Sequence, residues 1–356
     1  MKPDFLIIGG GIIGLATAFR LAQQGAQVTI VERGVIGAES SWAGGGILSP
    51  LLPWQYPAAV TALCELSVAR YPAWIDTLQV NSRLDAEFWQ CGMLVLPPFD
   101  TSASQAWCLQ HNWQSELLAA RTYLPHLSNK EALWLPTVAQ VRNPRLIKSL
   151  HAAVVAQGVK LVEHTSIAAI KADQHQLQYV DTHAGKLHAS NFVICAGAWS
   201  QDLLSSYPPA KTIKPMRGQM LLFKAAPDLL THIIYQQGIY LIPRKDGHIL
   251  VGSTIEDVGF DKSTTQGTRQ ALTQTAYELL PALRSAAFIQ HWSGLRPGSP
   301  DNIPTISRHP VLENLYVNAG HYRYGVTMAP ASADLLTELI FKQETSINIY
   351  PYQWDK

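Results

Sequence analysis

Three glycines near the start of the chain, Gly9, Gly11 and Gly14, hold the G-x-G-x-x-G spacing. In that pattern the first glycine makes a tight turn, the second lets a pyrophosphate approach the backbone, and the third lets a helix pack on a strand. Glu32 follows about twenty residues later, where a carboxylate would accept hydrogen bonds from an adenosine ribose. Many loops share the glycine spacing, so its meaning depends on what flanks it. The apolar run over residues 5–8 is too short for a helix and is bounded by glycine, as a buried parallel strand would be. Leu15, Ala18, Phe19 and Ala22 then recur at helical spacing, Arg20, Gln23 and Gln24 supply the polar side, and Gly25 stands where a C-terminal cap belongs. A second strand over 27–31 ends in Glu32. Strand, loop, helix, strand and acid in register specify a dinucleotide site on an α/β, Rossmann-like sheet. The 5–19 stretch is apolar and Ala16-Thr17-Ala18 mimics a signal-peptidase site, but only Lys2 gives a positive start and the glycines break the segment, so export is not expected.

The chain of 356 residues is long enough for one large or two medium domains. A hydrophobic share of 47% with 15% charged residues supports a large core, and no run of apolar residues is long enough for a membrane span. A formal charge of +1, without a dense Lys/Arg run, argues against nucleic acid as a partner and for a small neutral or zwitterionic ligand. Cys64, Cys91, Cys108 and Cys195 are scattered, with no CxxC pair, which points to free thiols in a reducing cytoplasm rather than to zinc or disulfides. A homo-oligomer is compatible with the sequence but not specified by it.

Other elements must position the rest of the site. The small residues over 37–46 permit close approach to a ligand, and the bland reading of them is a flexible loop. A helical pattern over 62–80 is interrupted by Pro72, and 85–96 reads as a strand. The aromatic-rich region 101–134 reads as packing, with His111 and His126 structural or exposed. Asn143-Pro144 is an N-cap followed by proline at the first helical position, Gly158 is the matching stop, and a strand over 159–163 returns the chain to the first sheet. Phe192-Val193-Ile194-Cys195 is another buried strand, ending in the turn Ala196-Gly197-Ala198-Trp199. The segments 219–223, 240–242 and 248–254 alternate as an antiparallel sheet does, with Asp246-Gly247 as a hairpin turn. A last buried strand over 315–320 precedes a helix over 327–341, whose N-terminus suits a polar or anionic cofactor edge. The nucleotide domain is therefore discontinuous: 1–85, 143–214 and 293–356 belong to it, and 86–142 with 215–292 form an α+β domain around the antiparallel sheet.

With these pieces placed, the chain resembles the D-amino-acid oxidase superfamily of flavoproteins, and within it most closely the glycine oxidases of bacterial thiamine biosynthesis. The carriers span nearly the whole chain: the N-terminal fingerprint with Glu32-Arg33, the Ser40-Ser41 loop, Cys195-Ala196-Gly197-Ala198-Trp199, Tyr240-Leu241-Ile242-Pro243-Arg244, Gly294-Leu295-Arg296-Pro297-Gly298, and Gly320-His321-Tyr322-Arg323-Tyr324-Gly325. The last two elements together are the most specific. The resemblance implies a Rossmann-like FAD-binding domain with a discontinuous antiparallel-sheet substrate domain. It implies cofactor contacts from Gly9, Gly11, Ile12, Ile13, Gly14, Glu32 and Arg33; from Ser40, Ser41, Ala43, Gly45, Gly46 and Ile47; from the backbone at Ile167; from Ala196, Gly197 and Trp199; and from Arg296 and Tyr322, Arg323, Tyr324, Gly325, Val326 and Thr327. It places the substrate carboxylate on Arg296 and Tyr240, with Arg323 near the flavin edge and Ile47 over the ring. Relatives with covalent flavin use a cysteine near the C-terminus; here the last cysteine is Cys195, so the FAD is expected to be non-covalent. The Gly44-Gly45-Gly46 run and the aromatic rings of Tyr322 and Tyr324 depart from the glycine-oxidase pattern, which leaves the substrate's side chain open.

The chemistry implied is transfer of the α-hydrogen as hydride to flavin N5 from a neutral amine, with no acid–base pair required of the protein. The imine hydrolyses in water, and molecular oxygen takes the electrons as hydrogen peroxide. The expected substrates are glycine, sarcosine and small D-amino acids. Two alternatives stay open, a dehydrogenase of the same fold that reduces a membrane quinone and a relative that oxidises a glycine-like group on RNA; the missing basic patch disfavours the second. A plain NAD dehydrogenase fits the first motif but not the carboxylate-binding elements. Trp42, Trp54 and Trp199 read as packing, with Trp199 nearest the cofactor.

Overall fold

The computed structural model describes residues 2–127, 130–205 and 212–354. Its first layer is a six-stranded sheet in the order Thr305–Arg308, Leu315–Ala319, Asn191–Ile194, Phe5–Ile8, Val28–Val31, Lys160–Val162. All neighbours pair in parallel except the edge strand Thr305–Arg308. Phe5–Ile8, at the centre, is buried along its whole length, which is why it carries no polar side chain. One face is covered by the helices Ile12–Gln23, Ala58–Ser82, Asn143–Ala156 and Gly325–Ile340, which bury Leu15, Leu63, Leu150 and Leu335 against Ile7 and Ile30. On the other face lies an antiparallel three-stranded sheet, Ile167–Asp173, Gln176–Thr182 and Gly185–Leu187, whose Leu177 and Val180 pack on Leu6 and Ile194.

A second, eight-stranded sheet runs in the order Ala287–Gly298, Lys214–Lys224, His248–Gly252, Ile239–Pro243, Ile233–Gln236, Met93–Val95, Glu131–Leu135, Glu116–Ala119. Period-two alternation sorts its side chains. Leu241, Ile249 and Val251 face the helix Gln266–Leu279, and Tyr240, Ile242 and Leu250 face the opposite side with Met220. A third sheet of three two-residue strands, Ile47–Leu48, Ala139–Gln140 and Trp89–Gln90, lies beside it.

The structure departs from the sequence expectations in several places. Ala58–Ser82 is one continuous helix with Pro72 inside it; Pro72 is exposed, while Tyr71, Ile75 and Leu78 on the buried side anchor both halves, so tertiary packing overrides the cost of proline. The expected strand over 85–96 is two short strands in different sheets, divided at Gly92, whose φ is +75°. Asn143 is the first helical residue rather than the cap, because its side chain is recruited to the Ser41 carbonyl. The expected 37–46 loop contains a short helix, Ser40–Ala43, and the last helix begins at Gly325, two residues earlier than expected.

Buried histidines, His321 and His232 among them, give the fold an acid limit. His321 is 1% exposed, with Nε2 2.9 Å from Ser332 Oγ, and His232 packs edge-on to Tyr123 and Trp134. Burial pushes His321 down to about 3 and His232 to about 4. In the unfolded chain both titrate near 6.5, so below that pH the unfolded state binds more protons than the folded one. Their folded-state advantage is complete above about pH 6.5 and is lost as pH falls, by about 2 kcal/mol per histidine at pH 5. The thermal midpoint should therefore fall steadily from pH 7.5 to 5; a flat profile would show that neither histidine is held neutral.

Candidate active site

A cavity of about 410 Å³ lies between the carboxyl ends of the parallel strands and the second sheet, a position and size typical of small-ligand sites in α/β folds. Its wall begins at the glycine turn. Gly9 has φ +109°, and a Cβ there would strike the Cys195 carbonyl, so only glycine makes this turn. A Cβ on Gly11 would point into the cavity, with Ser41 Oγ as its only neighbour at 3.1 Å. Gly14 is not on the wall; a Cβ there would meet the Gly9 carbonyl oxygen, so its part is helix-to-strand packing. Ile12 donates its N–H to Ser41 Oγ at 2.9 Å, which ties the glycine turn to the loop behind it, and Ile13 lines the wall.

Glu32 ends the second strand and is fixed by two backbone donors, Gly10 N–H to Oε2 at 2.8 Å and Gly34 N–H to Oε1 at 2.9 Å. Each oxygen keeps a lone pair for a hydroxyl in the cavity. Arg33 lies 3.4 Å over the Trp199 ring and is paired with Glu39. Ile167, Ala196, Gly197 and Trp199 complete this end of the wall. Ser40, Ser41, Gly45, Gly46 and Ile47 line the middle. Ala43 does not; it is buried behind the wall, where a Cβ on Gly294 would stand 2.6 Å from its own. Gly325, Val326 and Thr327 open the last helix on the cavity, and the first N–H groups of a helix have no partner within it. A cradle that a Cβ would fill, an oriented carboxylate and a helix N-terminus fit a dinucleotide whose far ring system offers carbonyl edges.

At the other end the second sheet brings in Tyr240 and Arg296, and the segment before the last helix brings in Tyr322, Arg323 and Tyr324. The Arg296 guanidinium lies flat on Gly218, where any side chain would collide with it. It donates to the Thr254 carbonyl at 3.1 Å and to Ser253 Oγ at 2.6 Å, which leaves donors over for a ligand. Arg323 makes no hydrogen bond to protein among the described residues. Burial works against its charge, but the hydroxyls of Tyr324, Tyr56, Tyr240 and Tyr235 keep its pKa above the ordinary value. Tyr240 donates only to Met220 Sδ, at 3.4 Å, a weak acceptor that a carboxylate would displace. Tyr322 has φ +43°, a conformation unusual outside glycine and of the kind that clusters at ligand sites. The carboxylates on the wall are Glu32, Glu39 and Asp202, all on the nucleotide side, and His321 is neutral, so the arginine end holds no acid–base pair among the described residues.

Four residues that shape this site carry no site role in the sequence reading, where Asn143 is only a helix cap. Asn143, Arg244, Ser253 and Trp292 act through the loop or through Arg296. Only Arg244, inside the Tyr-Leu-Ile-Pro-Arg element, has a sequence signal that points to the site.

A glycine turn at the carboxyl ends of a parallel sheet, with two arginines and a tyrosine across the same cavity, has the architecture of a dinucleotide-dependent oxidoreductase. The chain belongs to the FAD dependent oxidoreductase family, which it matches over residues 4–339. It is 43% identical to a glycine oxidase of Pseudomonas putida over 358 residues, covering 99% of this chain and 98% of that protein. A glycine oxidase of Pseudomonas aeruginosa is 40% identical with the same coverage. The crystal structure of glycine oxidase from Geobacillus kaustophilus superposes with a TM-score of 0.94 at 27% identity, covering 99% of both chains. The activity is FAD-dependent oxidation of an amino acid.

Proposed function

We propose that the chain oxidises glycine, sarcosine or small D-amino acids to the 2-oxo acid, with molecular oxygen as the final acceptor and hydrogen peroxide as the second product. The observation that carries this reading is the Arg296 guanidinium, tethered by Ser253 and the Thr254 carbonyl, facing the cavity that begins at the glycine turn. Because Arg296 is already held, little ordering entropy is lost when it takes a carboxylate through two parallel hydrogen bonds. Tyr240 seconds it, and Arg323 adds positive charge on the cofactor side. Gly9, Gly11, Glu32, Ser41, Ile167 and the Gly325–Thr327 turn hold FAD, which supplies the two-electron acceptor for the α-hydrogen. In this reading residues 1–85, 143–214 and 293–356 serve the cofactor, and 86–142 with 215–292 serve the substrate.

The lack of a protein acid–base pair at the arginine end suits an amine that reacts in its neutral form, with binding and orientation supplying the catalysis. The ring wall of Tyr240, Tyr322 and Tyr324 suits a small side chain. Cys195 is 5% exposed and burial pushes its thiol up to about 12, so the wall carries no thiolate to attach flavin, which supports a non-covalent cofactor. Four free cysteines support a reducing compartment such as the cytoplasm. Among the described residues no helix is long and apolar enough to cross a membrane.

Anaerobic titration of the yellow protein tests the proposal. Glycine, sarcosine or D-alanine should bleach the flavin absorbance, admitted oxygen should restore it with peroxide, and acid should release all colour into the supernatant. Bleaching by L-alanine but by none of the three would overturn the substrate class. Reduction without peroxide would point to a different electron acceptor.

A further inference from the structure

The loop over 40–47 is gripped from behind by four side chains of four separate segments. Asn143 Nδ2 donates to the Ser41 carbonyl at 2.9 Å, Trp292 Nε1 to Ala43 at 3.1 Å, Arg244 to Gly45 at 2.8 Å, and Thr327 Oγ1 to Ile47 at 2.9 Å. Every second carbonyl is thus turned towards the protein. In a trans peptide the C=O and the following N–H point in opposite directions. The grip on the Gly45 carbonyl therefore aims the Gly46 N–H away from Arg244 and into the cavity that both glycines line. That N–H has no acceptor among the described residues, whereas Gly44 N–H is used by the Ser40 carbonyl.

We propose that Arg244 is a positioning residue for the cofactor: it locks the Gly45–Gly46 peptide so that the Gly46 N–H stands as a preset hydrogen-bond donor to the flavin. Arg244 is 3% exposed and comes from the second sheet, at the end of Ile239–Pro243. It also binds the side chain of Gln140 and, at 3.0 Å, the Val141 carbonyl, and Val141 in turn donates to the Gly46 carbonyl at 2.9 Å. The guanidinium thus clamps two strands of backbone with one rigid fork, a geometry that lysine does not reproduce. Among the described residues no carboxylate hydrogen-bonds to it; Glu87 and Asp246 instead pair with the neighbouring Arg142. Burial and Arg142 lower its pKa to about 10, which leaves it charged at neutral pH. A buried cation held by three oxygens, the Gln140 side chain and the Val141 and Gly45 carbonyls, is costly unless those oxygens stay in place. Gly46, at φ +79° and packed against the Val141 carbonyl, can follow the clamp where a residue with a side chain could not.

A donor fixed before reduction favours the more electron-rich reduced flavin over the oxidised form without reorganising. Loss of the clamp should therefore lower the flavin's reduction potential as well as FAD affinity. The inference rests on FAD occupying this cavity, not on which amino acid is oxidised.

The test uses holoenzyme with Arg244→Met and Arg244→Lys. Arg244→Met should shift the oxidised-to-reduced affinity ratio about tenfold, which is about 30 mV for a two-electron couple. kcat should fall with little change in the substrate KM, and Arg244→Lys should restore only part of both. An unchanged potential in Arg244→Met holoenzyme would overturn the proposal, as would full rescue by lysine. Should Arg244→Met not fold, the wild-type protein still decides. Hydrogen–deuterium exchange resolved at Gly46 should slow when the apoprotein is loaded with FAD, and equal exchange with and without FAD would overturn the proposal. If neither glycine nor any other amino acid bleached the flavin while the Gly46 amide was protected, the substrate reading would fail and this one would stand.

Discussion

Arg296→Ala should lower kcat/KM for glycine by about thirtyfold to several thousandfold while FAD content stays near that of the unaltered chain. An ionised carboxylate entering a largely dry cavity gives up its hydration, and a planar charged donor with two parallel N–H groups replaces it best. Breaking a desolvated charge pair of this kind costs about 2 to 5 kcal/mol, and about 1.4 kcal/mol is tenfold. Part of that cost would come from the site left behind, since Ser253 Oγ and the Thr254 carbonyl lose their donors as well. Arg296→Lys keeps the charge but not the fork and should recover only part of the loss. Tyr240→Phe removes one hydrogen bond to a charged group, about 1.5 to 3 kcal/mol, and should cost less than the alanine variant. Steady-state kinetics and the ratio of flavin to protein absorbance separate substrate loss from cofactor loss. Near-normal kcat/KM in Arg296→Ala beside a collapse in Arg323→Ala would assign the carboxylate to Arg323 instead, which has no hydrogen bond to protein among the described residues.

The parallel sheet was legible because burial on both faces leaves a plain signature. Phe5–Ile8, Asn191–Ile194 and Leu315–Ala319 are short apolar runs closed by glycine or other small residues, and in the fold they pair side by side. The strands of the second sheet were legible for the opposite reason, since Tyr240, Leu241 and Ile242 alternate between two different cores. The boundaries failed where tertiary contacts claimed a local signal. Asn143-Pro144 has the chemistry of a helix start, but the Ser41 carbonyl competes for the asparagine side chain, and the cap position falls on Arg142, whose backbone is extended. Pro72 reads as a break in any local window, yet a helix anchored by Tyr71 and Leu78 continues past it.

Legibility in the site follows the same division. Gly9, Gly11 and Glu32 have their meaning within one supersecondary unit, so spacing alone exposes them. Arg296 and Arg323 are 27 positions apart and lie on unrelated elements; only a likeness to known sequence elements brought them together. Ser253, Asn143 and Trp292 act through carbonyls or through another side chain's donors. No sequence pattern encodes a partner chosen by a fold that brings residues 43 and 292 into hydrogen-bond reach.

Gly11→Val should all but abolish FAD binding while leaving the apoprotein folded. Gly9 and Gly14 would not separate these effects, because a Cβ at either strikes backbone and would damage the sheet–helix junction itself. At Gly11 the space in front is open to the cavity except for Ser41 Oγ at 3.1 Å, so the valine methyls would occupy volume that belongs to the ligand rather than to the protein core. Overpacking costs about 1 to 3 kcal/mol where neighbours can shift. Here the protein neighbour is the Ser41 hydroxyl, which is already engaged by the Ile12 N–H, and the bound pyrophosphate cannot withdraw without leaving the turn, so the cost lies at or above the upper end. That is a loss of about a hundredfold or more in FAD affinity. Valine also displaces Ser41, whose hydroxyl holds the Ile12 N–H, and so loosens the turn that the pyrophosphate needs. The variant should purify without yellow colour. Its far-ultraviolet circular dichroism and thermal midpoint should match those of the deflavinated parent, and flavin fluorescence should stay unquenched on titration with FAD. Retention of stoichiometric FAD by Gly11→Val would mean that the pyrophosphate does not pass over this turn, and the cofactor's path through the cavity would have to be redrawn from the Ser41 side.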